Sequence, residues 1–274
     1  MATLLALHST ATMTKAAAPS RLAIYYGYPS LVEGAAGDLG RAVVVFASYD
    51  VIVFGDGLEL GDASGADAGL RAEHERMGPL IRALHATSRR PGIYGYIDLG
   101  SSQKLDLGEI TRRIDAWKRL GADGIFFDEA GRDFAVTPER RRAAVCALHA
   151  RGLSAFMNAF NPDDLFDTAA QRSDAGCDPS FTARDALLIE SFGVRNGELE
   201  PAGRIAQRSA AALKWRSRTG IRVFGVTTTD RHSYDRQQFE WAWQQAVSHG
   251  LDGFGWGEPG FSAADSRLPW RERP

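Results

Sequence analysis

Apolar residues fall into two alternating rhythms along this chain. From residue 21 onward, short runs rich in β-branched and aromatic side chains recur at 22–28, 51–54, 92–98, 124–128, 153–158, 186–190, 222–227 and 253–256. Between them lie longer stretches in which apolar positions return every third or fourth residue, clearest at 69–88, 107–120, 138–151, 204–218 and 233–249. The first rhythm is that of buried strands and the second that of helices with one apolar face. Their alternation predicts βαβ units and a parallel sheet. Helix punctuation agrees, since Thr137 and Pro138 supply a cap and a first-turn proline, and Gly152 supplies the stop. The run 42–46 reads as the end of the first helix.

Eight such units in about 240 residues fit a single closed (β/α)8 TIM barrel, whose usual size is about 250 residues. The runner-up, a doubly wound open sheet, lacks its phosphate cradle: no G-x-G-x-x-G follows the first strand and no G-x-x-x-x-G-K-[ST] occurs. An internal echo supports the barrel. Gly-Ala-Asp-Gly-Ile-Phe-Phe-Asp-Glu at 121–129 resembles Gly-Leu-Asp-Gly-Phe-Gly-Trp-Gly-Glu at 250–258, as a doubled half-barrel would produce. The expected organisation is a weakly structured lead-in over 1–20 and one barrel over 21–274. The lead-in has no charged segment before its apolar run, and Met13 could be the natural start, so secretion and cellular location stay open.

Composition narrows the function. With 44% hydrophobic residues the chain can bury a large core, and a net charge of -2 without long runs of one sign argues against a nucleic-acid or anionic-membrane partner. No stretch approaches the ~20 apolar residues of a membrane span. Two cysteines, Cys146 in a helical pattern and Cys177 in a Gly/Asp loop, suggest neither a disulfide framework nor a thiolate metal site. No cofactor motif is present, and His74, His85, His149 and His249 fall on predicted helices without zinc-ligand spacing. His232 follows the seventh strand and could reach a site there.

In a (β/α)8 barrel the C-terminal strand ends build the active site. Here those ends carry Tyr28, Asp56, Asp98, Asp128 with Glu129, Asn158, Glu190, residues 227–230, and Glu258. Carboxylates gathered at one mouth repel one another unless some hold a proton or a cation, a cost that points to function. Asp123 and Asp252, at the opposite strand ends, read as structural. If Asp128 faces the barrel axis, then so does Phe126, and Glu129 begins a loop; the echo with Glu258 favours the opposite parity, and both remain candidates. Tyr28 and Trp256 are the aromatics expected to stack on a sugar ring.

These residues carry a resemblance. Tyr25-Tyr-Gly-Tyr-Pro-Ser30, Gly95-Tyr-Ile-Asp98, Gly124-Ile-Phe-Phe-Asp-Glu129, Asn158 and Ile189-Glu190 are similar to segments of the spherulin-4-like proteins and endo-α-1,4-polygalactosaminidases. The resemblance implies a (β/α)8 fold and an endo-acting hydrolase of α-1,4 bonds in galactosamine-containing polysaccharides. It also implies catalytic carboxylates at Asp128, Glu129 and Glu190. The residues agree in kind: glycoside hydrolysis needs one protonated carboxyl and one ionised carboxylate, and Asp128 and Glu190 could converge over the fifth strand with Asn158 between them. Tyr28, Asp56, Asp98, Asn158, Trp256 and Glu258 would then contact substrate, and an acid-lined mouth would favour a cationic sugar. The alternatives are a non-catalytic glycan-binding barrel and a metal-dependent enzyme using Asp56, Asp98, Asp128 and Glu190 as oxygen ligands.

Overall fold

The computed structural model describes residues 18–55, 57–61, 65–166, 178–229 and 235–257. Eight parallel strands close into a barrel: β1 (Ser20–Tyr25), β2 (Val51–Phe54), β3 (Gly92–Asp98), β4 (Gly124–Asp128), β5 (Ser154–Asn158), β6 (Ala186–Ile189), β7 (Arg222–Val226) and β8 (Gly253–Gly255). Each pairs with the next in sequence, and β8 pairs with β1. The described helices are α1 (Leu39–Phe46), α2 (Ala68–His85), α3 (Leu107–Leu120), α4 (Pro138–His149), α5 (Ala202–Thr219) and α6 (Arg236–Ser248). Thus the run 42–46 does end the first helix. Asp38, Asp67, Asp106, Thr137 and Asp235 each accept the N–H three residues on, so a side-chain cap starts five of the six.

Two expectations change. The first strand stops at Tyr25, because Pro29 opens a 3-10 turn (Pro29–Gly34) that cannot continue a strand ladder. The cysteines are not both free: Cys146 is disulfide-bonded, and the chain's one other cysteine, Cys177, lies outside the described residues. Helix α4 packs on the 3-10 turn Pro162–Phe166 that opens the β5–β6 connection, and Cys177 belongs to that connection in sequence.

Alternation along the strands divides the core in two. Leu22, Ile24, Val51, Val53, Tyr94, Tyr96, Phe126, Phe156, Leu188, Phe224 and Val226 fill the barrel interior, while Ile52, Phe54, Ile125, Phe127, Met157 and Ile189 pack against the helices. The interior is a run of edge-on aromatic contacts, Tyr94 to Phe156 at 5.5 Å and Phe126 to Phe156 at 5.2 Å, that continues to Phe224 at 5.2 Å. Gly253 makes room for Phe224, whose ring would lie 2.0 Å from a Cβ at that position.

The floor repeats one device four times. Asp50, Asp123, Asp185 and Asp252 stand immediately before β2, β4, β6 and β8. Each carboxylate accepts the N–H of the second residue of the preceding odd strand: Arg21 at 2.8 Å, Ile93 at 2.9 Å, Ala155 at 2.8 Å and Val223 at 2.8 Å. Each backbone carbonyl takes the first N–H of the next odd strand, from Gly92, Ser154, Arg222 and, closing the ring, Ser20. Outside them, Arg89, His85, His149 and Arg216 supply opposite charge or hydrogen bonds. The structural reading of Asp123 and Asp252 holds, and His85 and His149 belong to the same floor.

Candidate active site

Strand β4 ends with Phe126 and Asp128 facing the axis, which settles the parity: Glu129 lies beyond the strand and starts the loop. Next to it, β5 ends in Asn158, with its preceding inward residue Phe156 in the barrel. Glu190 follows β6 two residues after the inward Leu188. These three residues meet. The Nδ2 of Asn158 donates to Asp128 Oδ1 at 2.8 Å and to Glu190 Oε2 at 2.9 Å. Two oxygens bound to one nitrogen can be no further apart than those lengths together, so they lie within about 5.7 Å of each other.

Their environments differ. Asp128 is recessed, and burial pushes its carboxyl up to about 6. Donation from Asn158 and from the Glu129 N–H at 2.9 Å opposes the rise, the negative charge of Glu190 adds to it, and the Tyr96 hydroxyl donates from β3. Glu190 is exposed at the mouth. Asp128 therefore holds its proton up to about pH 6, beside the exposed side chain of Glu190.

The other expected site residues separate. Glu129 lines the same cleft, but its carboxylate accepts the N–H and hydroxyl of Ser102, in the loop after β3. Asp98 is 1% exposed and accepts the N–H groups of Gly100 at 2.7 Å and Gln103 at 3.2 Å, so it holds that loop instead of facing a ligand. Tyr28 packs in the outer layer, near Asp67 and Glu73, and these charges together with burial push its hydroxyl up. Trp256, 5% exposed, faces α6 and meets Phe239 at 6.0 Å. Its strand parity puts Gly253 and Gly255 at the interior instead, so the stacking expected of Trp256 has no surface to act from. Asp56, Asp230, His232 and Glu258 lie outside the described residues. Among the described residues, no group of three or more His, Cys, Asp or Glu side chains is placed to hold a metal ion, and no helix is long and apolar enough to cross a membrane.

A cleft of about 630 Å³ opens from the Asp128–Asn158–Glu190 trio. One wall carries Phe134 and Phe160, 37% and 65% exposed, on the loops after β4 and β5. Those loops are tied together, because the Arg132 N–H donates to Asp164 at 3.0 Å and the Ala130 N–H to the Asn158 carbonyl at 2.7 Å. The other wall carries Arg195 with Arg204, Gln207 and Arg208 of α5. Arg204 and Arg208 approach the buried Glu200 at 3.4 and 3.0 Å. The sequence reading missed both walls. A large apolar residue two positions past a strand end, as Phe160 is past Asn158, is the signal that was there to find.

The fold is a (β/α)8 barrel with carboxylates at its C-terminal mouth. Among solved structures the chain is similar to the glycoside hydrolase domain of PelA from Pseudomonas aeruginosa, at 13% identity and a TM-score of 0.52, covering 91% of this chain and 99% of that one. It is equally similar to Aspergillus fumigatus Ega3 in complex with galactosamine, at 12% identity and a TM-score of 0.52, covering 93% and 97%. At such identities the likeness is one of fold. No protein-family model and no curated protein sequence matches the chain.

Proposed function

We propose that this protein is a glycoside hydrolase that cleaves α-1,4 linkages within a galactosamine-containing polysaccharide, with Asp128 and Glu190 as its working carboxylates. The observation that carries the reading is the double donation from Asn158, which holds two carboxyl groups of unlike environment at one point of the barrel mouth. Asp128, protonated up to about pH 6, gives its proton to the leaving glycosidic oxygen. Glu190, exposed at the mouth, attacks the anomeric carbon through a carboxylate oxygen. A water molecule, deprotonated by Asp128, then releases the sugar from Glu190. The separation supports this double displacement, since retaining pairs stand about 5–5.5 Å apart and inverting pairs need about 6.5–9.5 Å. The fold shared with the PelA domain and with the galactosamine-bound Ega3 supports the substrate class. A cationic amino group would meet the Asp128–Glu190 side of the cleft, because the α5 side is lined with arginines.

The test is to incubate the purified protein with galactosamine-rich polysaccharides and follow new reducing ends and chain length. Asp128→Asn and Glu190→Gln should each lower kcat by about 10²-fold or more while leaving the fold intact. Near-wild-type turnover in either variant would remove that residue from the mechanism. A non-catalytic glycan-binding barrel would instead bind the polymer and release no ends.

A further inference from the structure

Each of the two carboxylates is followed at once by a residue in the left-handed backbone region. Glu129 has φ 51° after Asp128, and Ser191 has φ 54° after Glu190. That region is costly for a residue with a Cβ, and it persists where the surroundings impose it. Both residues are pinned by side chains from elsewhere in the barrel. The Glu129 carboxylate takes the Ser102 N–H at 3.0 Å as well as the Ser102 hydroxyl. The Ser191 hydroxyl bonds Thr228 Oγ1 at 2.8 Å, beyond β7, and its carbonyl accepts from Arg208 of α5 at 3.1 Å.

The turns have consequences for the carboxylates beside them. At β4 the kink swings the Glu129 N–H back onto Asp128 Oδ1 at 2.9 Å. At β6 the same Arg208 guanidinium that holds Ser191 also donates to the carbonyl of Glu190. We propose that Glu129 and Ser191 are paired positioning residues, whose pinned left-handed turns aim Asp128 and Glu190 at one point above Asn158. The proposal rests on the assignment of that pair as the working carboxylates, and it replaces the catalytic role expected for Glu129.

The groups facing Asp128 are Glu190 from β6, the Tyr96 hydroxyl from β3, the Asn158 amide from β5 and the Glu129 N–H from its own strand end. The two pins therefore act on its titration with opposite signs. Losing the Glu129 N–H removes a donor to the ionised form and moves the Asp128 midpoint up. Letting Glu190 drift away removes a like charge and moves it down.

The experiment uses the full chain, wild type and the variants Ser102→Ala and Thr228→Val, with the Asp128 carboxyl titrated by carbon-13 NMR and assigned through Asp128→Asn. The variants are also assayed for kcat and KM on a galactosamine oligomer. The midpoint should rise by about half a unit in Ser102→Ala and fall in Thr228→Val. In both, kcat should drop about 10-fold with KM nearly unchanged. Three further variants secure the result. Glu129→Gly adopts the turn without strain but loses the pin, and should raise the midpoint as Ser102→Ala does. Ser191→Ala repeats the Thr228 test, because the Thr228 hydroxyl also takes the Asn196 N–H at 3.2 Å. Glu129→Gln keeps an acceptor for Ser102 and should stay within about threefold of wild-type kcat, well short of the loss of a catalytic group. Unmoved midpoints in the pin variants of an active enzyme would overturn the proposal. A 10²-fold loss in Glu129→Gln with an unmoved Asp128 would also overturn it and make Glu129 catalytic. Shifted midpoints in a protein that hydrolyses no glycan would instead remove the glycosidase reading and leave the positioning geometry standing.

Discussion

Asp128, the proposed acid, shows how a buried carboxyl weighs on the fold that carries it. Its carboxyl is raised from 3.8 to about 6, so the folded chain binds that proton more tightly than the unfolded chain does. The associated stability is fully present below the unfolded value near 4 and is lost as pH rises through about 6. At one pKa unit per 1.36 kcal/mol the loss is about 2–3 kcal/mol at neutral pH. Asp128→Asn escapes it. The variant should melt about 5 °C above wild type at pH 7.5 and show little gain at pH 4, as read by thermal scans at the two pH values. On the proposed mechanism the same proton sets the activity profile: kcat/KM on the glycan should fall as pH rises through about 6, because the acid form of Asp128 is being lost. A flat profile from pH 5 to 8 would leave Asp128 without its acid role.

At the level of elements, the cleft is made by pieces that are remote in sequence. Phe160 lies on the loop after β5, at 65% exposure, and the arginine wall lies on α5 some forty residues further on. An exposed aromatic beside a polar trio is suited to a sugar face, worth about 1 kcal/mol beyond area. Phe160→Ala should therefore raise KM for the polymer by about 2–10-fold, leaving kcat and Tm close to wild type. An unchanged KM on long chains would take Phe160 out of the binding surface. The second case is α4, whose Cys146 is disulfide-bonded. A native disulfide is worth about 2–4 kcal/mol, largely through the constraint on the unfolded chain. Cys146→Ser should then lower Tm by about 6–12 °C, and reductant should do the same to wild type and nothing to the variant.

Across the whole molecule, the ring of four aspartates joins odd to even strands at the end opposite the site. Asp185 is the most enclosed, with its side chain 1% exposed against 33% for Asp252. Burial opposes its charge, but His149 and the N–H groups of Ala155 and Thr182 outweigh that and hold its carboxyl below the usual range. A lowered carboxyl contributes stability above the unfolded value that is lost as pH falls through the folded one. Asp185→Asn should therefore cost about 2–4 kcal/mol near neutrality, seen as a Tm drop of about 5–10 °C, with a smaller penalty in acid. Asp252→Asn, a third open to water, should cost less. Equal penalties at the two positions would contradict the enclosure argument. Neither change should alter kcat, since the ring stands a barrel length from Asp128.

The alternation of strand and helix, the (β/α)8 class and the placing of Asp128, Asn158 and Glu190 at strand ends were all legible in the sequence. Periodicity is a local property, and an acid at the close of an apolar run is visible without a neighbour. The convergence of those three residues followed from chain order once the barrel was assumed, because β4, β5 and β6 are adjacent. The side of the sheet on which Glu129 and Trp256 fall was not legible. A shift of one residue reverses every side chain, and the register is set jointly by eight pairings that close on themselves. The loop duties of Asp98 and Glu129 depend on Gly100, Ser102 and Gln103 folding back towards them. The four floor aspartates share no motif beyond preceding a strand. Their role appears when the ring closes, because each one's hydrogen-bond partner belongs to another strand.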